Sequence, residues 1–315
     1  RTGKPFASQA FGVTPDLVLF VGDQIYADVT GGVADPTRRD ELYERPNEKA
    51  LRVPPMRDIL RRRPVWMLLD DHEIGDNWAP FSKRMKQRRP QDARANESAL
   101  DHGVAAWWKY QRMRDGEKGA SGDLRFRFGG HPFYLLDTRT RRSARGTPVA
   151  PRQEQIVNPQ QRWELLDWLR EHRNEVKFVA TPSLLLPPHR ATASELALPQ
   201  VRVLAREGIG RTVFLSGDEH HALWCKATLA WEGRAPVHLV SVHGSALYAP
   251  YPFANGRPES LLCDSLAQVQ IGHVSVAMQT CCAPPGDGFV HVEVVYDDLG
   301  HATLRVVFCQ AALSP

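Results

Sequence analysis

Six segments of the chain share one pattern, an apolar, β-branched run that stops abruptly in polar residues. They are PDLVLFVGDQIYAD (15–28), PVWMLLDDHEIGDNW (64–78), HPFYLLDTRTRR (131–142), VKFVATPSLLLPPH (176–189), TVFLSGDEHHALW (212–224) and VHLVSVHGSALY (237–248). Each predicts a strand feeding a loop. The second is apolar on both faces from Pro64 to Leu69, as expected of a strand covered on both sides in an α/β sheet. Between the strand segments lie helical patterns, and NPQQRWELLDWLREH (158–172) is one of them. There Asn158 fits an N-cap and Pro159 the first turn, while Trp163, Leu166 and Leu169, or Leu165 and Trp168, fall three or four apart. The tail GFVHVEVVYDDLGHATLRVVFC (288–309) alternates on both sides of Asp297-Asp298-Leu299-Gly300, which predicts an antiparallel hairpin. Strand and helix alternation followed by antiparallel strands predicts an α/β fold with mixed sheets.

A chain of 315 residues can bury a large core, as one large domain or two small ones. No apolar run approaches the roughly 20 residues of a membrane helix, so no membrane partner is expected. The formal charge of +4 is mildly basic and falls short of a nucleic-acid-binding signature. Much of the excess sits in SKRMKQRRPQDAR (82–94), with six Lys or Arg against one Asp. Such a run is usually a solvated face, and phosphate steering or nucleic-acid contact is its functional alternative. The five cysteines, Cys225, Cys263, Cys281, Cys282 and Cys309, are odd in number and form no C-x-x-C pair. They predict buried free thiols and lean slightly towards a reducing, cytoplasmic compartment, with secretion left open because the chain starts at Arg1.

In open α/β sheets, ligand groups gather beyond the carboxyl ends of the strands, so the polar ends should converge. They carry Asp23 and Tyr26; Asp70, Asp71, His72, Glu73 and Asn77; Asp137 and Arg139; His189; Asp218, His220 and His221; and His243. Oxygen and imidazole donors without clustered thiols suit Ca²⁺, Mn²⁺, Fe or Zn²⁺. Gly22 before Asp23, and Gly217 before Asp218, let the backbone turn sharply after a strand and aim a carboxylate. Asp218 and His220, two apart in extended chain, share a side. Burying the charges of DDHEIGDNW unpaired is expensive, so they call for cations or for ion pairs with arginines. Arg139 offers a planar fork for two phosphate oxygens, with Asp137 beside it to orient the fork. His189, His243 and His291 stand alone and read as structural. Ser216 is not framed as G-x-S-x-G, which speaks against a serine hydrolase.

The ordered motifs GD-x-x-Y, DDHE-x-x-N, LDTR and GD-x-H, with SALYAPYPFAN (245–255), resemble the alkaline phosphatase D (PhoD-like) family of metallophosphoesterases from about residue 15 to the tail. The resemblance implies a sandwich of two mixed β-sheets flanked by helices, in a single catalytic domain over 1–315. It implies hydrolysis of phosphate mono- or diesters by a metal-activated water, with a phosphate ester as substrate and inorganic phosphate as a product. By it Asp23 is a carboxylate able to bridge metals, Tyr26 a phenolate ligand to Fe³⁺, and Asn77 an amide ligand. Asp218 and His220 complete the set around iron and Ca²⁺, with Mn²⁺ or Zn²⁺ as substitutes. Arg139 and His221 would neutralise phosphoryl charge, and His72, by its position, would donate a proton to the leaving alcohol. Family members also carry a cysteine ligand at the end of an earlier strand. RTGKPFASQAFGV (1–13) has no Cys, Asp or Glu, so the first strand and its motif are expected to be missing. Two rivals follow: an inactive metal- or phosphate-binding relative, and a metal-dependent nuclease for which nucleic acid is the substrate.

Overall fold

β1 (Val18–Phe20) and β2 (Val65–Met67) run parallel with Phe20 opposite Met67, so the segments leaving their carboxyl ends start side by side. In this computed structural model the described residues are 14–30, 39–112, 122–143, 156–187, 200–247, 265–284 and 286–310. The chain divides into two compact units with interleaved sequence. Unit 1 comprises 1–123 and 137–158, and unit 2 comprises 124–136 and 159–315.

In unit 1 the helices are α1 (Ala27–Thr30), α2 (Arg39–Arg52), α3 (Pro54–Arg62), α4 (Lys83–Arg88) and α5 (Pro90–Ala106). Pro54 opens α3, where a missing N–H costs nothing, and the Ser82 hydroxyl caps α4 by accepting from the Met85 N–H. α5 runs into a π-helical turn, Trp107–Gln111. A Cβ at Gly103 would meet the Glu73 carbonyl oxygen at 2.6 Å, so glycine lets α5 lie directly on the loop after β2. Leu69, Ile74, Trp78 and Trp107 form the apolar cluster that closes this contact.

Unit 2 holds β3 (Leu124–Phe128), β4 (His131–Leu135), α6 (Pro159–Glu171), β5 (Lys177–Ala180), β6 (Thr212–Ser216), β7 (Leu223–Trp231), β8 (Val237–His243), β9 (Ser265–Ile271) and β10 (Val274–Cys282). The strands make an eight-stranded mixed sheet in the order β3-β4-β5-β6-β8-β7-β10-β9. β4, β5, β6 and β8 are mutually parallel, and all four residues of β5 are buried, as in a strand covered on both faces. β7 and β10 are antiparallel and alternate between buried and more exposed positions. The predicted hairpin forms as β11 (Gly288–Tyr296) and β12 (Ala302–Gln310), turning at Asp297–Gly300 with Gly300 at φ 78°.

The mixed-sheet α/β class holds, and all six strand segments contain a strand. The α6 pattern differs in one place. Trp163 is exposed, and Gln161 joins Leu165, Leu166, Trp168 and Leu169 on the buried face. Residues 1–13, His189, Cys263 and the end of the SALYAPYPFAN motif lie outside the described residues. Among the described residues, no helix is long and apolar enough to cross a membrane. Cys282 is disulfide-bonded, contrary to the expectation of free thiols throughout, while Cys225, Cys281 and Cys309 are free.

Candidate metal centre

The parallel pair in unit 1 sets one cluster of carboxylates. Asp23 leaves β1 with φ 55°, a left-handed turn that the preceding Gly22 (φ 115°) makes possible. Asp70 and Asp71 leave β2. One carboxylate oxygen from each of Asp23, Asp70 and Asp71 lies within 4.8 Å of the others. Glu73, 1% exposed, holds both strand ends in place: its two oxygens accept the N–H groups of Asp23 (3.2 Å), Gln24 (2.8 Å), Ile25 (3.3 Å) and Asp70 (2.9 Å). Gln111, presented by the π-helical turn, adds its side-chain amide at 3.4 Å. Burial pushes the Glu73 carboxyl up from its usual range, and the backbone N–H groups oppose that rise.

Arg139 is 5% exposed and belongs to unit 1. Its Nε donates to Asp70 Oδ1 (2.5 Å), Nη2 to Asp71 Oδ1 (3.0 Å) and Nη1 to the Trp78 carbonyl (3.3 Å). Burial alone would raise the Asp71 carboxyl, but the Arg139 guanidinium, His72 and the Asn77 N–H together hold it below the usual carboxylate range. Asp137 sits at the turn that carries Arg139. It accepts the N–H groups of Arg139 (2.9 Å), Thr140 (3.0 Å) and Gly122 (3.0 Å), fixing the turn after β4.

His72 stands against the Tyr26 ring, centroids 4.2 Å apart, and its Nδ1 lies 3.0 Å from both oxygens of Asp28. Burial lowers this imidazole's proton affinity, but Asp28 and then Asp71 and Asp76 raise it above the ordinary value. Asn77 is exposed, with φ 52°, and its N–H donates to Asp71 Oδ2 (2.5 Å).

In unit 2, Asp218 (φ 80°) and His220 (φ 56°) occupy a strained turn straight after β6, and His221 follows before β7 begins. Beneath that turn lies His243, the last residue of β8 and fully buried. Cys225 is buried in β7, and burial pushes its thiol up to about 11.

A family model described as PhoD-like phosphatase matches residues 5–258. The chain belongs to the PhoD-like phosphatase family. Its structure is similar to a solved structure of PhoD, with a TM-score of 0.60 and 14% sequence identity over 96% of this chain and 66% of that one. The chain thus spans just under two thirds of that protein's length, and at this identity the likeness establishes the fold. No curated protein matches.

Within this PhoD-like chain, unit 1 brings together Asp23, Tyr26, His72, Asn77 and Arg139 of the expected residues, and unit 2 places Asp218, His220 and His221 in one turn. The sequence offered Arg139 as an oxyanion clamp, and the structure places its guanidinium on two carboxylates. Its fork is engaged by Asp70 and Asp71, the arginine ion pair that the sequence offered as the alternative way to settle those charges. Asp28, Gln111 and the His243 contacts were not legible. Asp28 had a signal, since it stands five residues after Asp23 in the same polar strand end.

The donor set fits a cation. Three carboxylates at this spacing repel one another, and Arg139 offsets part of that charge at Asp70 and Asp71. Carboxylate, phenolate and amide oxygens are the donors that hard cations take.

Proposed function

We propose that the chain is a metal-dependent phosphoesterase acting on phosphate mono- or diesters. The observation that carries this reading is the clustering of Asp23, Asp70 and Asp71 at the carboxyl ends of two parallel strands, held there by Glu73. Family membership supports it. Asp23, Tyr26 and Asn77 in unit 1 would hold metal, and Asp218 and His220 in unit 2 are proposed as further donors. The phenol favours Fe³⁺ and the carboxylate and amide oxygens suit Ca²⁺, with Mn²⁺ or Zn²⁺ as replacements. Bound metal supplies Lewis acidity towards a phosphoryl oxygen and a water.

The chain's own residues supply the rest. Asp28 fixes the His72 ring through Nδ1, leaving Nε2 as the position from which a proton passes to the leaving alkoxide. Asp28 and Asp71 favour the protonated ring that this step needs. Arg139 acts through Asp70 and Asp71, fixing where their remaining oxygens point. His221 is proposed to offset charge on the phosphoryl oxygens.

The test uses purified protein with a mono-aryl and a bis-aryl phosphate, before chelation, after chelation, and after readdition of Fe³⁺ and Ca²⁺. Loss and recovery of turnover supports the reading, and turnover indifferent to chelation overturns it. Metal binding without turnover of either ester would mark an inactive relative. The nuclease alternative rests on exposed Lys83, Arg88, Arg89 and Arg94 in and around α4 and α5. It predicts steep salt dependence of polynucleotide binding, whereas small-ester turnover should change little with salt.

A further inference from the structure

We infer that His243 is a positioning residue that holds the Gly217–His220 turn in the one conformation that presents Asp218 and His220. Register places His243 beside Ser216, the last residue of β6. Its two ring nitrogens then reach two points on either side of Gly217 and Asp218. Nδ1 lies 2.8 Å from the Ser216 hydroxyl, and Nε2 accepts the Glu219 N–H at 3.2 Å. An Nε2 that accepts carries no proton. The neutral ring therefore keeps its proton on Nδ1 and donates it to Ser216 Oγ. Two backbone bonds brace the same turn from below, Gly217 N–H to the Pro182 carbonyl and Gly244 N–H to the Ser216 carbonyl, each 2.9 Å.

This bracing matters because the turn is unfavourable by itself. Asp218 at φ 80° and His220 at φ 56° are both non-glycine residues in the left-handed region, and such residues persist only where their surroundings over-determine them. Glu219, between them, is 3% exposed, so its N–H has little access to solvent as a substitute partner. Among the described contacts, the imidazole of His243 is the acceptor for that N–H. Without it the turn would relax towards ordinary backbone angles and carry both side chains away from their present directions. A groove-lining or purely packing histidine would have no need of an acceptor at Nε2.

The inference rests on the phosphoesterase reading only for its consequence, since Asp218 and His220 are metal donors in that reading. Two conservative variants separate the contacts. His243→Gln can place an amide oxygen near the Nε2 position and keep an acceptor for Glu219 N–H. His243→Asn keeps a donor near Ser216 and loses that acceptor. Hydrogen exchange of the metal-free protein reads the turn directly, with the β10 segment as an internal control for global opening. His243→Asn should speed exchange across 216–221 about tenfold or more while β10 stays protected, and His243→Gln should stay close to wild type. In the same pair, metal affinity should fall about 10- to 100-fold for Asn and much less for Gln, the size typical of losing a group that orients a ligand. Equal behaviour of the two variants, or wild-type exchange in both, overturns the inference. If wild type binds no metal and turns over no ester, yet exchange still separates Asn from Gln, the positioning role stands and the phosphoesterase reading fails.

Discussion

Replacing Arg139 by Met keeps much of the side chain's volume and removes one fork from two carboxylates. Asp70 is fully buried and the Asp71 side chain is 6% exposed, so neither can turn to water for compensation. The fork makes two charge-assisted bonds, 2.5 Å to Asp70 and 3.0 Å to Asp71. Breaking a buried pair by removing one partner costs about 3–5 kcal/mol, because the other charge stays buried. In metal-free protein, Arg139→Met should therefore lose stability in that range, a shift in the thermal midpoint on the order of 10 °C. Added Ca²⁺ should recover more of this loss than it adds to wild type, since the variant's carboxylates face no competing guanidinium. Unfolding by urea or heat, with and without Ca²⁺, measures both quantities. A variant as stable as wild type but reduced about a hundredfold or more in kcat would refute the reasoning and return Arg139 to direct contact with the phosphate.

Glu73→Gln exchanges one acceptor oxygen for an NH₂ that faces backbone donors, and should cost about 2–4 kcal/mol in chemical unfolding while weakening metal binding. Gly103→Ala forces a Cβ against the Glu73 carbonyl, and should cost about 1–3 kcal/mol in the same assay. Lys177, at the start of β5, gives its ammonium to the Gly210 carbonyl (2.6 Å), and burial pushes its pKa down to about 8. The unfolded chain holds this proton to about pH 10.4. Between these values the unfolded state binds more protons than the folded one, so the penalty is complete below pH 8 and disappears above the unfolded pKa. Stability should rise by about 2–3 kcal/mol across that window after allowing for solvent screening, and fail to rise in Lys177→Met.

The strand ends were legible because an apolar run that stops in charges is a local signal, and β1, β2, β4, β5, β6 and β8 all fall inside such runs. β3, β7, β9 and β10 were harder. Their alternating, partly solvated faces give a weaker pattern, and LWCKATLAW, which forms β7, begins inside the tail of another strand segment. The carboxylates and imidazoles at the strand ends were readable for the same local reason. Their partners were not, since Glu73 binds backbone about 50 positions away and Arg139 reaches Asp70 across 69. Separations of that size depend on tertiary pairing, and for Glu73 the parallel register of β1 on β2 decides it. The role of Arg139 shows the limit most clearly. A guanidinium beside carboxylates can face a phosphate or the carboxylates themselves, and only the fold decides between them.

The most direct test of the central claim is metal stoichiometry by elemental analysis of wild type and Asp23→Asn, purified identically and checked for matching far-UV circular dichroism. Asn removes the charge of Asp23 with little change of shape, and Glu73 binds its backbone N–H and not its side chain. The account predicts metal in wild type and about a tenfold or greater loss in the variant. Equal metal content in the two proteins, or a folded wild type that takes up none when Fe³⁺ and Ca²⁺ are supplied, would contradict it.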